Sequence, residues 1–501
     1  MIGGLNWRYV YFLSLGLKFY FALSDSYIHP DEHFQNFSVL TGMYRFLHFS
    51  TYIPWEFTAE HPARSFAPLL AVYGPILTVV SYFNTDVTPQ VLLYLFRLQF
   101  CLMSWIVTDW CIHRLLPSKP ERVKALLFVS TSYVTLTYQN HTFSNSIETL
   151  VLMPCLVIIN QLREAMEINT SKETNKHRKL FTLGCLIAFG TFTRITFPGF
   201  LILPLYYVFQ HFRIHRLSVS SCALGFGLTS FLAILIDTHA FQSTSYVIAP
   251  FNNLLYNLDY TNLSNHGIHP RYTHVFVNLP QILGPGLVFL VYRNGYRKTT
   301  PFLALLSGVL CLSVFPHQEL RFLVPLSPLA CCCFDLRPYP ATTVKYLLYA
   351  WYAFNALMSV LMGVYHQGGV IPVLAHLREE NFTGVQIWWR TYSPPEWILG
   401  SKSMTILKPE SLQGLQALDT GADVLVDLMG AGIEEVNAVL SIAKERFGSV
   451  LLVTPVASYN TNTFSVALDP SWTYAYHLDM DHLDFGDWKS LSPGICIYNL
   501  I

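Results

Sequence analysis

The chain has 501 residues, of which 52% are hydrophobic and only 12% charged, with 31 basic and 31 acidic side chains in balance. So little charge excludes a soluble globular protein of this length. The net charge is zero but unevenly spread, and no nucleic-acid partner is expected.

Apolar runs of roughly 17 to 25 residues read as membrane-spanning helices. In chain order the candidates are 9–24, 66–83, 89–112, 124–139, 146–161, 180–192, 196–209, 217–236, 274–292, 300–315, 322–334 and 346–365. The expectation is a polytopic α-helical membrane protein with roughly 11 to 13 transmembrane helices. The first run has no small-residue cleavage site and contains Lys18, so it reads as a retained anchor rather than a signal peptide.

Basic clusters at 163–179, 211–216, 293–298 and 337–345 are the natural cytosolic loops. Alternation then places the 139–145 turn, the 237–273 loop, the 316–321 turn and everything after 365 on the lumenal side. The sequons at Asn140, Asn262 and Asn381 fall there, with Asn36 a further glycosylation candidate, while Asn169 sits in a cytosolic loop and is expected to stay bare. The basic stretch 113–124 resists this scheme, which suggests that 66–83, interrupted by Gly74-Pro75, does not span cleanly. The ten cysteines are scattered, with neither a disulfide framework nor a metal-binding spacing.

Beyond 365 the charged fraction rises. Residues 422–427 and 449–453 are apolar β-type runs on either side of a helix-period stretch, 433–446. Two domains are expected: a transmembrane catalytic region, 1–365, with its first lumenal loop at about 25–65, and a small α/β lumenal domain, 366–501.

The chemistry concentrates just after the first apolar run, in His29-Pro30-Asp31-Glu32-His33-Phe34-Gln35. Pro30 suits the first position of a helix, and acids at its start favour the positive end of the helix dipole. A carboxylate there can also serve as a general base for a hydroxyl. Neighbours on a helix point differently, so one of Asp31 and Glu32 can face the reacting group while the other orients a partner. The same residues spell H-x-x-E-H, a zinc-protease pattern, but Pro30 favours a helix start at that point and no third ligand is evident. No metal or other cofactor is expected.

Cations for a phosphate are available in three places. Arg194 lies where two spans meet, Gly267 to His274 carries His269 and Arg271, and the short turn Pro316-His317-Gln318-Glu319-Leu320-Arg321-Phe322 joins two spans. Interfacial snorkelling is the alternative role for such side chains. Trp55, Trp388, Trp389, Tyr392 and Trp397 read first as an interfacial aromatic belt. No glycine-rich phosphate loop follows a strand, so a lipid-phosphate donor fits better than a soluble nucleotide.

At these residues the chain resembles the dolichol-phosphate-mannose-dependent mannosyltransferases of glycosyltransferase family 22, which have the GT-C fold. The acidic pair, Trp55-Glu56-Phe57, Arg64-Ser65, the Thr142 to Glu148 stretch and His317-Gln318-Glu319 with Arg321 carry the resemblance over most of the chain. His269-Pro270-Arg271, His366-Gln367-Gly368-Gly369 and Thr391-Tyr392-Ser393-Pro394-Pro395 are similar to the glycosylphosphatidylinositol (GPI) branch, and within it to members that add a fourth mannose. The resemblance implies an endoplasmic-reticulum enzyme that transfers mannose from dolichol-phosphate-mannose to the 2-hydroxyl of the third mannose of a GPI precursor, with inversion. It implies Asp31 as the catalytic base, with Glu32 or His33 orienting the acceptor. Arg194, His317 and Arg321 would balance the departing phosphate, and His29, Gln35, Arg64, His269, Arg271 and Glu319 complete the candidate site. A third-mannose or N-glycan-precursor transferase of the same family, and a polytopic transporter, stay open as alternatives.

Overall fold

The apolar runs fold as helices. In the computed structural model, which describes residues 6–43, 47, 49–83, 87–167, 176–259, 261–262, 267–460, 463–483 and 486–501, six helices are long and apolar enough to cross a membrane. They are Phe66–Phe83, Pro89–Leu115, Ser144–Glu167, Ser218–Ala240, His274–Val291 and Ala341–Tyr365. The other anticipated runs form shorter or interrupted helices. Residues 124–139 divide at Ser132, whose extended backbone separates Lys119–Thr131 from Tyr133–Leu136. Pro198 and Pro204 break 196–209 into Phe197–Phe200 and Leu205–Ile214, and Pro325 divides Leu320–Leu323 from Leu326–Cys333.

Phe66–Phe83 corrects one expectation, because it is a single helix that runs through Pro75. Proline removes a backbone donor and opens the carbonyls of the turn before it. The carbonyl four residues back is that of Ala71; on the next residue, the Val72 carbonyl receives the Gln99 side-chain amide at 2.6 Å.

Elsewhere glycine sets the spacing between helices. A Cβ on Gly184 would lie 2.1 Å from the Cys222 carbonyl, and one on Gly225 would lie 2.1 Å from the Phe181 carbonyl. Helices Lys176–Thr193 and Ser218–Ala240 therefore meet backbone to backbone, as small residues permit in apolar surroundings. Valine at 225 would force them apart at a cost of about 1–3 kcal/mol. A lower melting temperature of the Gly225→Val protein in detergent is the expected result, and an unchanged one would contradict this contact.

The chain groups into two compact units that do not follow residue order. One contains 1–22, 55–77 and 97–357; the other contains 23–54, 78–96 and 358–501. The second thus gathers the segment bearing the acidic pair with everything after 358. Its sheet has strands β1 (Val385–Trp388), β2 (Thr405–Leu407), β3 (Val424–Asp427), β4 (Val450–Pro455), β5 (Leu468–Tyr474) and β6 (Ile495–Leu500), in the order β2-β3-β1-β4-β6-β5. The first four are parallel, and β6 and β5 are antiparallel additions. The strand–helix–strand reading of 422–453 corresponds to β3, helix Ile433–Arg446 and β4. That helix covers one sheet face, where Val385, Ile387, Val424, Val426, Leu440 and Leu452 form the core. The central strand β1 is buried along its whole length.

Candidate functional site

The acidic turn begins where Pro30 suggests. The amides of His33 and Phe34 both bond the Pro30 carbonyl, at 2.9 and 3.0 Å, and that of Glu32 bonds His29 at 3.3 Å. The helix then widens into a π-type turn, His33–Phe37, before Ser38–Met43. Such widenings recur at functional sites because they re-aim side chains. The two acids just before this turn differ: the Asp31 side chain is 20% exposed and that of Glu32 is fully enclosed, its Oε2 3.8 Å from His33 Nε2. Of the two carboxyls, that of Asp31 is the accessible one. Its amide donates to His29 Nδ1 at 3.2 Å, and the same nitrogen is 3.5 Å from its Oδ1.

His33 is wholly buried among the rings of Tyr27, Phe37 and Trp397. It supports the turn from behind rather than lining a surface. His29 precedes the helix, so the two imidazoles do not share a helical face, and the zinc-protease geometry is not formed. Gln35 is half-buried on the same turn.

In the other unit a second cluster surrounds Phe322. The guanidinium carbons of Arg194 and Arg321 lie 4.8 and 5.4 Å from its ring centre, and the His317 ring meets it edge-on at 5.5 Å. A guanidinium on an aromatic face keeps its in-plane N–H groups for an anion. Glu319 joins the set, pairing with Arg321 and, at 2.6 Å, with His317 Nε2. Burial works against a charged His317, but the hydrogen bond and charge of Glu319 prevail and hold the imidazole above its ordinary value. Arg194 Nε sits 3.7 Å from Glu148 Oε2, and Glu148 also receives the Asn145 amide at 3.4 Å.

Gln318 locks this turn in place. Its side chain accepts the His274 amide and donates to the carbonyls of Arg271, Ser313 and Phe315. Its backbone amide donates to His269 Nδ1 at 3.3 Å, leaving the His269 ring 6.1 Å from that of His317. Arg271 is exposed and contributes its carbonyl. Arg64 binds Glu56 at 2.9 Å.

The sequence model of the Alg9-like mannosyltransferase family matches residues 9–400, which include both clusters. The chain belongs to this family. It is similar over 99% of its length to three proteins called GPI mannosyltransferase 4: 47% identical to that of Debaryomyces hansenii, 50% to that of Candida albicans and 39% to that of Saccharomyces cerevisiae, covering 99%, 99% and 98% of those proteins. A solved structure to which it is similar, at a TM-score of 0.48 and 10% identity, is ArnT from Cupriavidus metallidurans bound to undecaprenyl phosphate, with 99% of this chain and 98% of that one covered.

For a mannosyltransferase of this family the geometry sorts the candidate residues. The structure brings Arg194, His317, Glu319 and Arg321 around one ring, with His269 beside them, and sets Asp31 against His29. Phe322, Gln318 and Glu148 organise the cation cluster. Of these, Glu148 and Gln318 stand in motifs that the sequence displays, whereas nothing in the sequence marks Phe322 as their common support.

Two glycosylation candidates are corrected. Asn36 and Asn140 are buried, and the Asn140 amide donates to the carbonyls of Lys18 and Leu136. An amide so enclosed cannot accept a glycan in this fold. Asn381 is exposed and Asn262 half-buried, while Asn169 lies outside the described residues. The aromatic belt is corrected likewise: Trp388 ends the central strand β1, and Trp388, Trp389 and Trp397 are all interior residues of the sheet-bearing unit.

Behind the acidic turn lies a third carboxyl. Glu396 is buried, which pushes its pKa up to about 8, and Asp427 at the end of β3 is raised by burial too. The folded value of Glu396 exceeds the unfolded one, so the stability tied to its protonated form is fully present below the ordinary carboxyl range. It is lost as pH rises through about 8. Glu396→Gln is therefore expected to melt like the parent in mild acid and at a progressively higher temperature as pH rises. Parallel melting curves at all pH values would contradict a protonated Glu396.

Proposed function

We propose that this chain catalyses transfer of a mannose from dolichol-phosphate-mannose to the 2-hydroxyl of the third mannose of a GPI precursor. Full-length similarity to proteins called GPI mannosyltransferase 4 supports the GPI acceptor and the fourth-mannose step. The acceptor oxygen forms the bond to mannose C1 while the bond from C1 to the phosphate oxygen breaks. Asp31 takes the hydroxyl proton, and dolichyl phosphate leaves with the bonding electrons. Attack opposite the leaving group inverts a β donor to an α1,2 product.

The observation that carries the choice of base is the contrast within the acidic pair, with Asp31 reachable and Glu32 enclosed. A general base must lie within hydrogen-bond reach of the proton it takes. Arg194, Arg321 and His317 suit a lipid phosphate whose charge grows as the bond breaks. Because that phosphate is already a fair leaving group, we propose that the reaction needs no metal. The setting is the endoplasmic-reticulum membrane, with the acidic turn and the α/β region lumenal.

Purified protein given a three-mannose GPI acceptor tests donor and metal together. Transfer from dolichol-phosphate-mannose that persists in excess chelator, and none from GDP-mannose, is expected. Transfer from GDP-mannose, or its loss on chelation, would overturn the corresponding part of the reading.

A further inference from the structure

The three residues before Pro30-Asp31 are each held by chain far away in sequence. Tyr27 donates its hydroxyl to the Ser393 carbonyl at 2.7 Å. The Ile28 backbone lies beside the His366 side chain. The His29 ring lies 6.2 Å from that of Tyr392.

Tyr392 is the centre of this frame. Its ring stands nearly perpendicular to those of Tyr27 and His366, at 5.6 and 5.3 Å, a favourable arrangement for aromatic pairs. Gln367 holds its backbone: Oε1 accepts the Tyr392 amide at 3.1 Å, and Nε2 donates to Asp479 Oδ1 at 3.3 Å. The local chain is strained. Gln367 and Arg390 have φ of 49° and 55°, and the Arg390 amide is tied to the Met429 carbonyl at 2.7 Å. Left-handed backbone outside glycine persists where the surroundings over-determine it, and it gathers at functional sites. Tyr392 also follows the carboxyl end of β1, the end of a parallel sheet at which open α/β folds place their sites.

We propose that Tyr392 is a positioning residue for Asp31. Its ring packs near the His29 imidazole, whose Nδ1 accepts the Asp31 amide and so holds the backbone that carries the carboxylate. The region after the last span is thereby part of the catalytic apparatus and not only a lumenal appendage. This inference rests on the reading of Asp31 as the base.

The test compares Tyr392→Leu, Tyr392→Phe and His29→Gln with the parent in purified form, varying the GPI acceptor at saturating dolichol-phosphate-mannose. Tyr392→Leu and His29→Gln are expected to lower kcat by about 100-fold, the cost of a small misplacement of a reacting group. KM for the acceptor should stay nearly unchanged, and Tyr392→Phe, which keeps the ring, should retain kcat. If Tyr392→Leu does not fold, as judged by its melting in detergent, His29→Gln interrupts the same relay from its other end. Parental kcat in the soluble variants, a change confined to KM, or failure of phenylalanine to restore the rate would each overturn the proposal. An inactive Asp31→Asn beside a fully active Tyr392→Leu defeats this inference alone. A fully active Asp31→Asn defeats the reading beneath it.

Discussion

Asparagine in place of Asp31 is expected to lower the rate of mannosyl transfer by about 10²–10⁴-fold, the range that a positioned general base contributes. The substitution is nearly isosteric. It keeps the backbone amide that donates to His29 Nδ1 and leaves the Pro30 turn intact, so the loss should appear in kcat with little change in acceptor KM. Glu32→Gln offers a contrast. Glu32 is enclosed beside His33, and changing it should disturb stability before it disturbs the proton transfer. A loss in Glu32→Gln larger than in Asp31→Asn, with both proteins folded, would reverse the two roles.

The second large effect concerns the leaving phosphate. Arg321→Ala is expected to reduce kcat by about 10²–10³-fold, the usual cost of removing one preorganised donor from a developing negative charge. It should also weaken inhibition by added dolichyl phosphate. Arg321 is the clearer probe of the pair. Arg194 faces Glu148, and its removal would leave a buried carboxylate without that cation, so misfolding would confuse the result. Arg321→Lys restores charge without the planar fork and should recover only part of the rate. Parental kcat and unchanged product inhibition in Arg321→Ala would remove the Phe322 cluster from the mechanism.

Local signals made the acidic turn legible in the sequence. Pro30 announces the helix start, and two carboxylates beside two imidazoles announce chemistry. Adjacency could not choose between Asp31 and Glu32, because the choice depends on which of them the fold encloses, and the ring packed on His33 beside Glu32 is Trp397, hundreds of positions away. The cation cluster was half legible. Arg194, His317 and Arg321 stand out as charges beside apolar runs, but their meeting around Phe322 is a tertiary fact with no sequence period behind it.

The α/β region shows the same division. The strand–helix–strand segment at 422–453 is contiguous and was readable. The central strand β1 is only four residues long, ends on one of two adjacent tryptophans, and gains its identity from pairing with β3 and β4. Proline misled in the opposite sense at Pro75, which the single helix Phe66–Phe83 accommodates.

The most direct test of the central claim uses microsomes that carry this chain as their sole fourth-mannose activity, given labelled dolichol-phosphate-mannose and a three-mannose GPI acceptor. The account predicts a product larger by one mannose, with the label released by an α1,2-mannosidase, and no such product when Asn replaces Asp31. Extension of a two-mannose acceptor alone, or a labelled product resistant to that mannosidase, would contradict it.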